Sequence, residues 1–84
     1  MRARVTVFPR REILDPQGKA IRAALERSGF PEVREVRAGK SFDIDLGSDD
    51  AQQAGERLAA MCEKLLANTV VEEYEIELLP GAPA

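Results

Sequence analysis

Three groups of residues have types and spacings that catalysis or ligand binding uses. Gly39-Lys40-Ser41 matches the end of a phosphate-binding loop, where backbone amides cradle a phosphate and the lysine reaches it. The full motif needs a glycine five residues before Gly39, and Arg34 stands there. It also needs a following helix, and Phe42-Asp43-Ile44-Asp45 reads as strand. Asp43 and Asp45, with Asp49 and Asp50 close behind, offer paired carboxylates for a metal or for proton transfer. They alternate with Phe42, Ile44 and Leu46, which makes them the solvated face of a half-buried strand. Cys62 would need an activating base, and the chain has no histidine. Lying between Met61 and Leu65 on an apolar stripe, it reads as a small buried hydrophobe. Ser28, Ser41 and Ser48 lack a partner for the same reason. No catalytic, cofactor-binding or metal-binding residue is therefore expected in this chain.

Composition narrows the classes further. Eighty-four residues suit one domain, and the formal charge of −3 argues against a general nucleic-acid binder. Only Phe8, Phe30, Phe42 and Tyr74 could act as stacking platforms for single strands. No apolar run approaches the roughly 18 residues of a membrane span. The N-terminus enters strand-like sequence directly, so no signal peptide is expected and the predicted compartment is cytoplasmic. A single cysteine forbids an internal disulfide. A chain this short buries only about 60% of its unfolded surface, which makes oligomerisation or docking on a partner the natural remedy.

Charge is unevenly distributed. Residues 1–42 hold ten basic and five acidic side chains; residues 43–84 hold two and ten. Either the halves pack together and neutralise each other, or they present a basic and an acidic surface to different partners.

The elements follow from periodicity. Ala3, Val5 and Val7 alternate with Arg4 and Thr6 in a strand that Pro9 ends. Asp15 is a good N-cap, Pro16 suits the first helical position, and the helix should run to about Ser28. Its apolar face is Ala20, Ile21, Ala24 and Leu25. Gly29 and Phe30 fit a Schellman ending, and Pro31 blocks continuation. From Val33 to Leu46 the even positions are mostly apolar. That permits one long strand bent at Gly39, or two strands with a tight turn over residues 38–41. Ser48 or Asp49 should cap a second helix, whose stripe is Ala51, Ala54, Leu58, Met61, Cys62, Leu65 and Leu66. That helix should end near Ala67, with Asn68 in the left-handed position. Tyr74, Ile76 and Leu78 oppose Glu73, Glu75 and Glu77 in the last strand, Val70 to Leu78. Residues 80–84 should form a disordered tail after a single domain over 1–79. The predicted class is α+β: two helices on one face of a mostly antiparallel sheet of three or four strands.

Three segments go beyond a fold class. Leu14-Asp15-Pro16-Gln17-Gly18-Lys19-Ala20, Val36-Arg37-Ala38-Gly39-Lys40, and Met61 to Asn68 with Val71-Glu72-Glu73-Tyr74 resemble the PurS family. PurS chains are small subunits of phosphoribosylformylglycinamidine (FGAM) synthase, in purine biosynthesis. The resemblance spans about Ala3 to Leu78. It implies a non-catalytic subunit of an ATP-dependent, glutamine-hydrolysing ligase complex. Such a subunit forms a dimer or tetramer, bridges the large synthetase subunit and the glutaminase subunit, and supports ammonia transfer. ATP and magnesium would sit on the large subunit, not here. The matched positions carry over interface expectations only, at Asp15, Gly18, Arg37, Gly39, Lys40, Asn68 and Thr69. Gly18, costly in a helix by about 1 kcal/mol relative to alanine, suggests close approach by another backbone. Relatives often carry proline where this chain has Thr69. Two other readings of the same residues are a small-molecule-sensing α+β domain, and a metal-dependent enzyme using the Asp43 and Asp45 face.

Overall fold

Alternating small and β-branched residues make Arg2–Pro9 (β1) the central strand of the sheet. The computed structural model describes residues 1–79, so the expected tail over 80–84 lies outside the described residues. The further elements are α1 (Pro16–Arg27), β2 (Lys40–Asp45), α2 (Ala51–Met61), α3 (a π-helical turn, Cys62–Leu66) and β3 (Glu72–Leu79). Both β2 and β3 pair antiparallel with β1, in the order β2-β1-β3. Val5 stands opposite Phe42 on one side and Ile76 on the other, which puts the apolar faces of all three strands in phase.

That common face packs against α2. Val5, Val7, Leu58 and Cys62 are fully buried, with Ala3, Ala54 and Ala67 filling between them. Only three of these side chains are large. At roughly 1.5–3 kcal/mol each, their burial makes a thin core for a chain of this length.

Local signals set the helix ends. The Asp15 carboxylate accepts from the Gly18 amide at 3.0 Å, and Pro16 follows as expected. At the other end the Phe30 amide donates to Leu25 and the Gly29 amide to Glu26, with Gly29 at φ +101°. These are the two bonds of a Schellman ending. Asp50, rather than Ser48 or Asp49, caps α2; its carboxylate accepts from Gln52 and Gln53. The Ser48 hydroxyl is used one step earlier, accepting from the Asp50 amide.

Four expectations are corrected. The segment from Val33 to Gly39 is neither a strand nor half of a hairpin, because its backbone groups meet α1 instead of a ladder. The Ala67 amide donates to the Cys62 carbonyl five residues back, which slips the helical phase. Leu66 and Ala67 therefore turn inward while Leu65, expected in the stripe, is 84% exposed. Ala51, in the first turn, is exposed too. Asn68 is not left-handed, since no non-glycine residue among those described has positive φ; the π turn ends the helix, with Ala67 extended.

The fourth correction concerns α1. It does not lie beside α2 on the sheet. Because β1 and β2 are adjacent and antiparallel, the thirty residues between them form an excursion beyond the sheet end. The radius of gyration is 16.1 Å, against about 12 Å for a compact chain of this length.

Candidate interface at one end of the sheet

β1 ends where β2 and β3 begin, so Pro9, Lys40 and Glu72 share one end of the sheet. All seven positions named from sequence gather there. Asp15 is the hinge between α1 and the strap over residues 33–39. One carboxylate oxygen caps α1, and the other accepts from the Ala38 amide at 2.9 Å. The Gly18 and Ala38 amides both favour the ionised form and hold the Asp15 carboxyl below its ordinary 3.8. Gly18 is buried, and a β-carbon there would overlap the Val36 carbonyl oxygen. The close backbone approach expected at Gly18 is therefore made by this chain's own strap.

Arg37 ties the strap to the sheet. Its guanidinium lies 5.1 Å over the Phe8 ring, and Nη2 donates to the Pro9 carbonyl and to Glu73 at 2.9 Å. Its Nε is buried without a hydrogen-bond partner. Gly39 packs on β1 so closely that a β-carbon would come within 2.5 Å of the Val7 carbonyl oxygen. Lys40 reaches Glu72 at 3.9 Å across the sheet end. Asn68 and Thr69 form the turn into β3. Asn68 accepts from the Val70 amide, and its own amide donates to Glu72 at 2.7 Å. The Thr69 carbonyl accepts two bonds from Arg10.

Sequence reasoning missed Arg10, which fastens the Thr69 turn, and the Arg11–Glu35 pair at 3.3 Å, which fastens the strap. Nothing in one sequence marked them, because each joins segments far apart in the chain. Arg4–Asp43, Arg37–Glu73 and Lys40–Glu72 each join the basic half to the acidic half, so the halves do partly neutralise each other.

The chemically suggestive residues are spent elsewhere. Lys40 and Ser41 belong to β2, with no helix following. Asp43 is paired with Arg4 on the open face of the sheet, and no three His, Cys, Asp or Glu side chains among the described residues are placed to hold a metal. Burial, and then the Glu63 charge, pushes the Cys62 thiol up. The Tyr74 hydroxyl donates to Glu63 at 2.8 Å, which raises its own pKa. Among the described residues, no helix is long and apolar enough to cross a membrane. Among the described residues, this end of the sheet is a surface knit by hydrogen bonds between separate segments.

A sequence model of PurS, described as phosphoribosylformylglycinamidine (FGAM) synthase, matches residues 2–80. The chain belongs to the PurS family. Among its relatives, the FGAM synthase subunit PurS of Mycobacterium leprae is 49% identical, covering 89% of this chain and 91% of that one. The PurS subunit of Synechocystis is 42% identical, over 94% of this chain and 81% of that one. A chain of the Thermotoga maritima PurLQS structure shares the fold with a TM-score of 0.85 at 33% identity, covering 93% and 95%. The fold shared with the Thermotoga chain has the order β-α-β-α-β, with two helices and a three-stranded antiparallel sheet.

Proposed function

We infer that this chain is the PurS subunit of FGAM synthase, acting in purine biosynthesis as part of a complex with synthetase and glutaminase subunits. The likeness to a chain of the Thermotoga PurLQS structure, over nearly the whole of both chains, carries this reading. Within it, we propose that the chain bridges the two larger subunits and supports passage of ammonia between them. We also propose that it works in the cytoplasm as a homo-oligomer, and that ATP and magnesium are held by the synthetase subunit.

Two observations support the bridging role. Ammonia released into neutral water is mostly protonated and no longer nucleophilic, so a water-excluding path between sites is needed. A subunit that helps to seal such a path must supply rigid surfaces, not acids and bases. The end of the sheet described above is such a surface, with Asp15, Arg37 and Arg10 fixing three separate segments to it. Exposed Leu14, Ile21 and Phe30 on and beside α1 support assembly.

The test is synthase turnover by the synthetase and glutaminase subunits, with and without this chain, using glutamine or free ammonia. The expected result is that glutamine-dependent turnover requires the chain while ammonia-dependent turnover largely survives its omission. Equal rates with and without the chain, on both nitrogen sources, overturn the bridging role.

A further inference from the structure

Beside the start of α1, the loop that follows β1 and the strap border a cavity of about 240 Å³. Its charged lining sets Arg10, Arg11, Lys19 and Arg37 against Asp15 and Glu35, an excess of two positive charges. Both carboxylates are already engaged. The oxygens of Asp15 accept from the Gly18 and Ala38 amides, and both oxygens of Glu35 accept from Nη1 of Arg11. The cations are not used up. Arg10 gives Nε and Nη2 to the Thr69 carbonyl, Arg37 gives Nη2 to Pro9 and Glu73, and Arg11 gives Nη1 alone. Among the described residues, the Lys19 ammonium has no hydrogen-bond or ion-pair partner. The cavity therefore presents spare N–H donors and no uncommitted carboxylate.

Such a lining matches a dianion. A single carboxylate offsets one of the two excess charges and accepts in one plane. A phosphoryl group brings close to two charges and three acceptor oxygens, which guanidinium and ammonium groups can meet from different sides. Pro9, Ile13 and Leu14 add an apolar wall for a short carbon skeleton. The volume lies below the roughly 300–1,000 Å³ of pockets for drug-sized ligands, so the molecule must be small. We propose that this cavity binds a phosphoryl dianion, as inorganic phosphate or as a small phosphate monoester such as a pentose phosphate. Arg10 and Arg37 are held in place by their bonds to backbone carbonyls, and so are oriented before the anion arrives. Lys19 and Arg11 are exposed and close on it from the helix and the loop. The site is independent of the bridging role and of self-association.

Amide chemical shifts of the full chain at low salt test it, with ribose 5-phosphate, inorganic phosphate and uncharged ribose as the three probes. Both phosphates should give saturable shifts centred on residues 10–19 and 35–37, and ribose should give none. Tighter binding of ribose 5-phosphate than of phosphate identifies a monoester site; equal binding identifies a site for the free ion; either result supports the proposal. Lys19→Gln removes a side chain without a partner, so the fold is not at risk, and should weaken binding by roughly fivefold or more. Lys19→Arg should restore it. Arg27→Gln, on the same helix but outside the cavity, should leave affinity unchanged. No saturable shift with either phosphate overturns the proposal and leaves the cavity to an acidic side chain of a partner. Shifts centred elsewhere overturn it, as does an equal response to ribose. So does equal weakening by Lys19→Gln and Arg27→Gln, which would mean diffuse attraction to a basic helix. None of these outcomes bears on whether the chain is needed for glutamine-dependent turnover.

Discussion

One carboxylate oxygen of Asp15 accepts from the Gly18 amide three residues on, and the other accepts from the Ala38 amide twenty-three residues on. A helix cap and a long-range clasp are thus the same side chain. Asparagine has one acceptor oxygen where aspartate has two, so Asp15→Asn can satisfy only one of these amides. The variant should melt at a lower temperature than wild type, by circular dichroism, and exchange the amide hydrogen of Ala38 or Gly18 faster. Unchanged melting and protection would refute the double role.

The same residue gives the acid limb of the stability profile a direction. The folded-state pKa of Asp15 lies below its ordinary 3.8. Its contribution is therefore complete above that value and is lost as pH falls through the depressed folded value. Wild type should lose stability below about pH 4 with a steeper slope than Asp15→Asn. Parallel acid limbs for the two proteins would show that the carboxylate is not held ionised by the clasp.

Gly18→Ala sets helix propensity against packing. Propensity favours alanine by about 1 kcal/mol. The added carbon, however, meets the Val36 carbonyl oxygen and comes within 2.6 Å of an Asp15 carboxylate oxygen. Displacing packed backbone costs about 1–3 kcal/mol. The expected net result is destabilisation of up to about 2 kcal/mol in urea unfolding. A stabilised variant would mean that the strap yields.

Tyr74 gives the alkaline limb. The Glu63 carboxylate, and then burial, raise its pKa above the ordinary 10.0. A raised folded value means the contribution is complete below the unfolded pKa and is lost as pH rises through the folded one. Tyrosinate absorbance should therefore develop at higher pH in the native chain than in the unfolded chain. Glu63→Gln should bring the native titration back toward the unfolded one. Coincident curves in wild type would contradict the Tyr74–Glu63 bond.

Cys62 should be silent toward thiol reagents. It is fully buried and its thiol is pushed up, so the native chain at neutral pH should show no fast phase with a chromogenic disulfide. Reaction should follow unfolding. Cys62→Ala should cost about 1–2 kcal/mol through the void it leaves under β1. A fast native reaction would show that the α2–sheet contact opens.

Element order, the capped start and Schellman end of α1, and the polarity of β1 and β3 were legible from periodicity and capping chemistry, because those signals act over a few residues. So was the chain's family, through segments around Asp15, Gly39 and Cys62. The strap was not. Val33 to Leu46 alternates like one strand, but the Asp15 carboxylate and the bare backbone at Gly18 claim the strap's amides and carbonyls before a ladder can. The π turn was equally hidden: one shifted bond from Ala67 to Cys62 turns Leu65 out and Leu66 in, and hydrophobicity alone cannot separate adjacent leucines. The gathering of these seven positions at one end of the sheet, fastened by Arg10 and Arg11, exists only once three strands bring their ends together. A local pattern says which face of α1 is apolar. Whether that face meets its own sheet depends on where two antiparallel strands place the helix, which is a long-range constraint that no window of sequence contains.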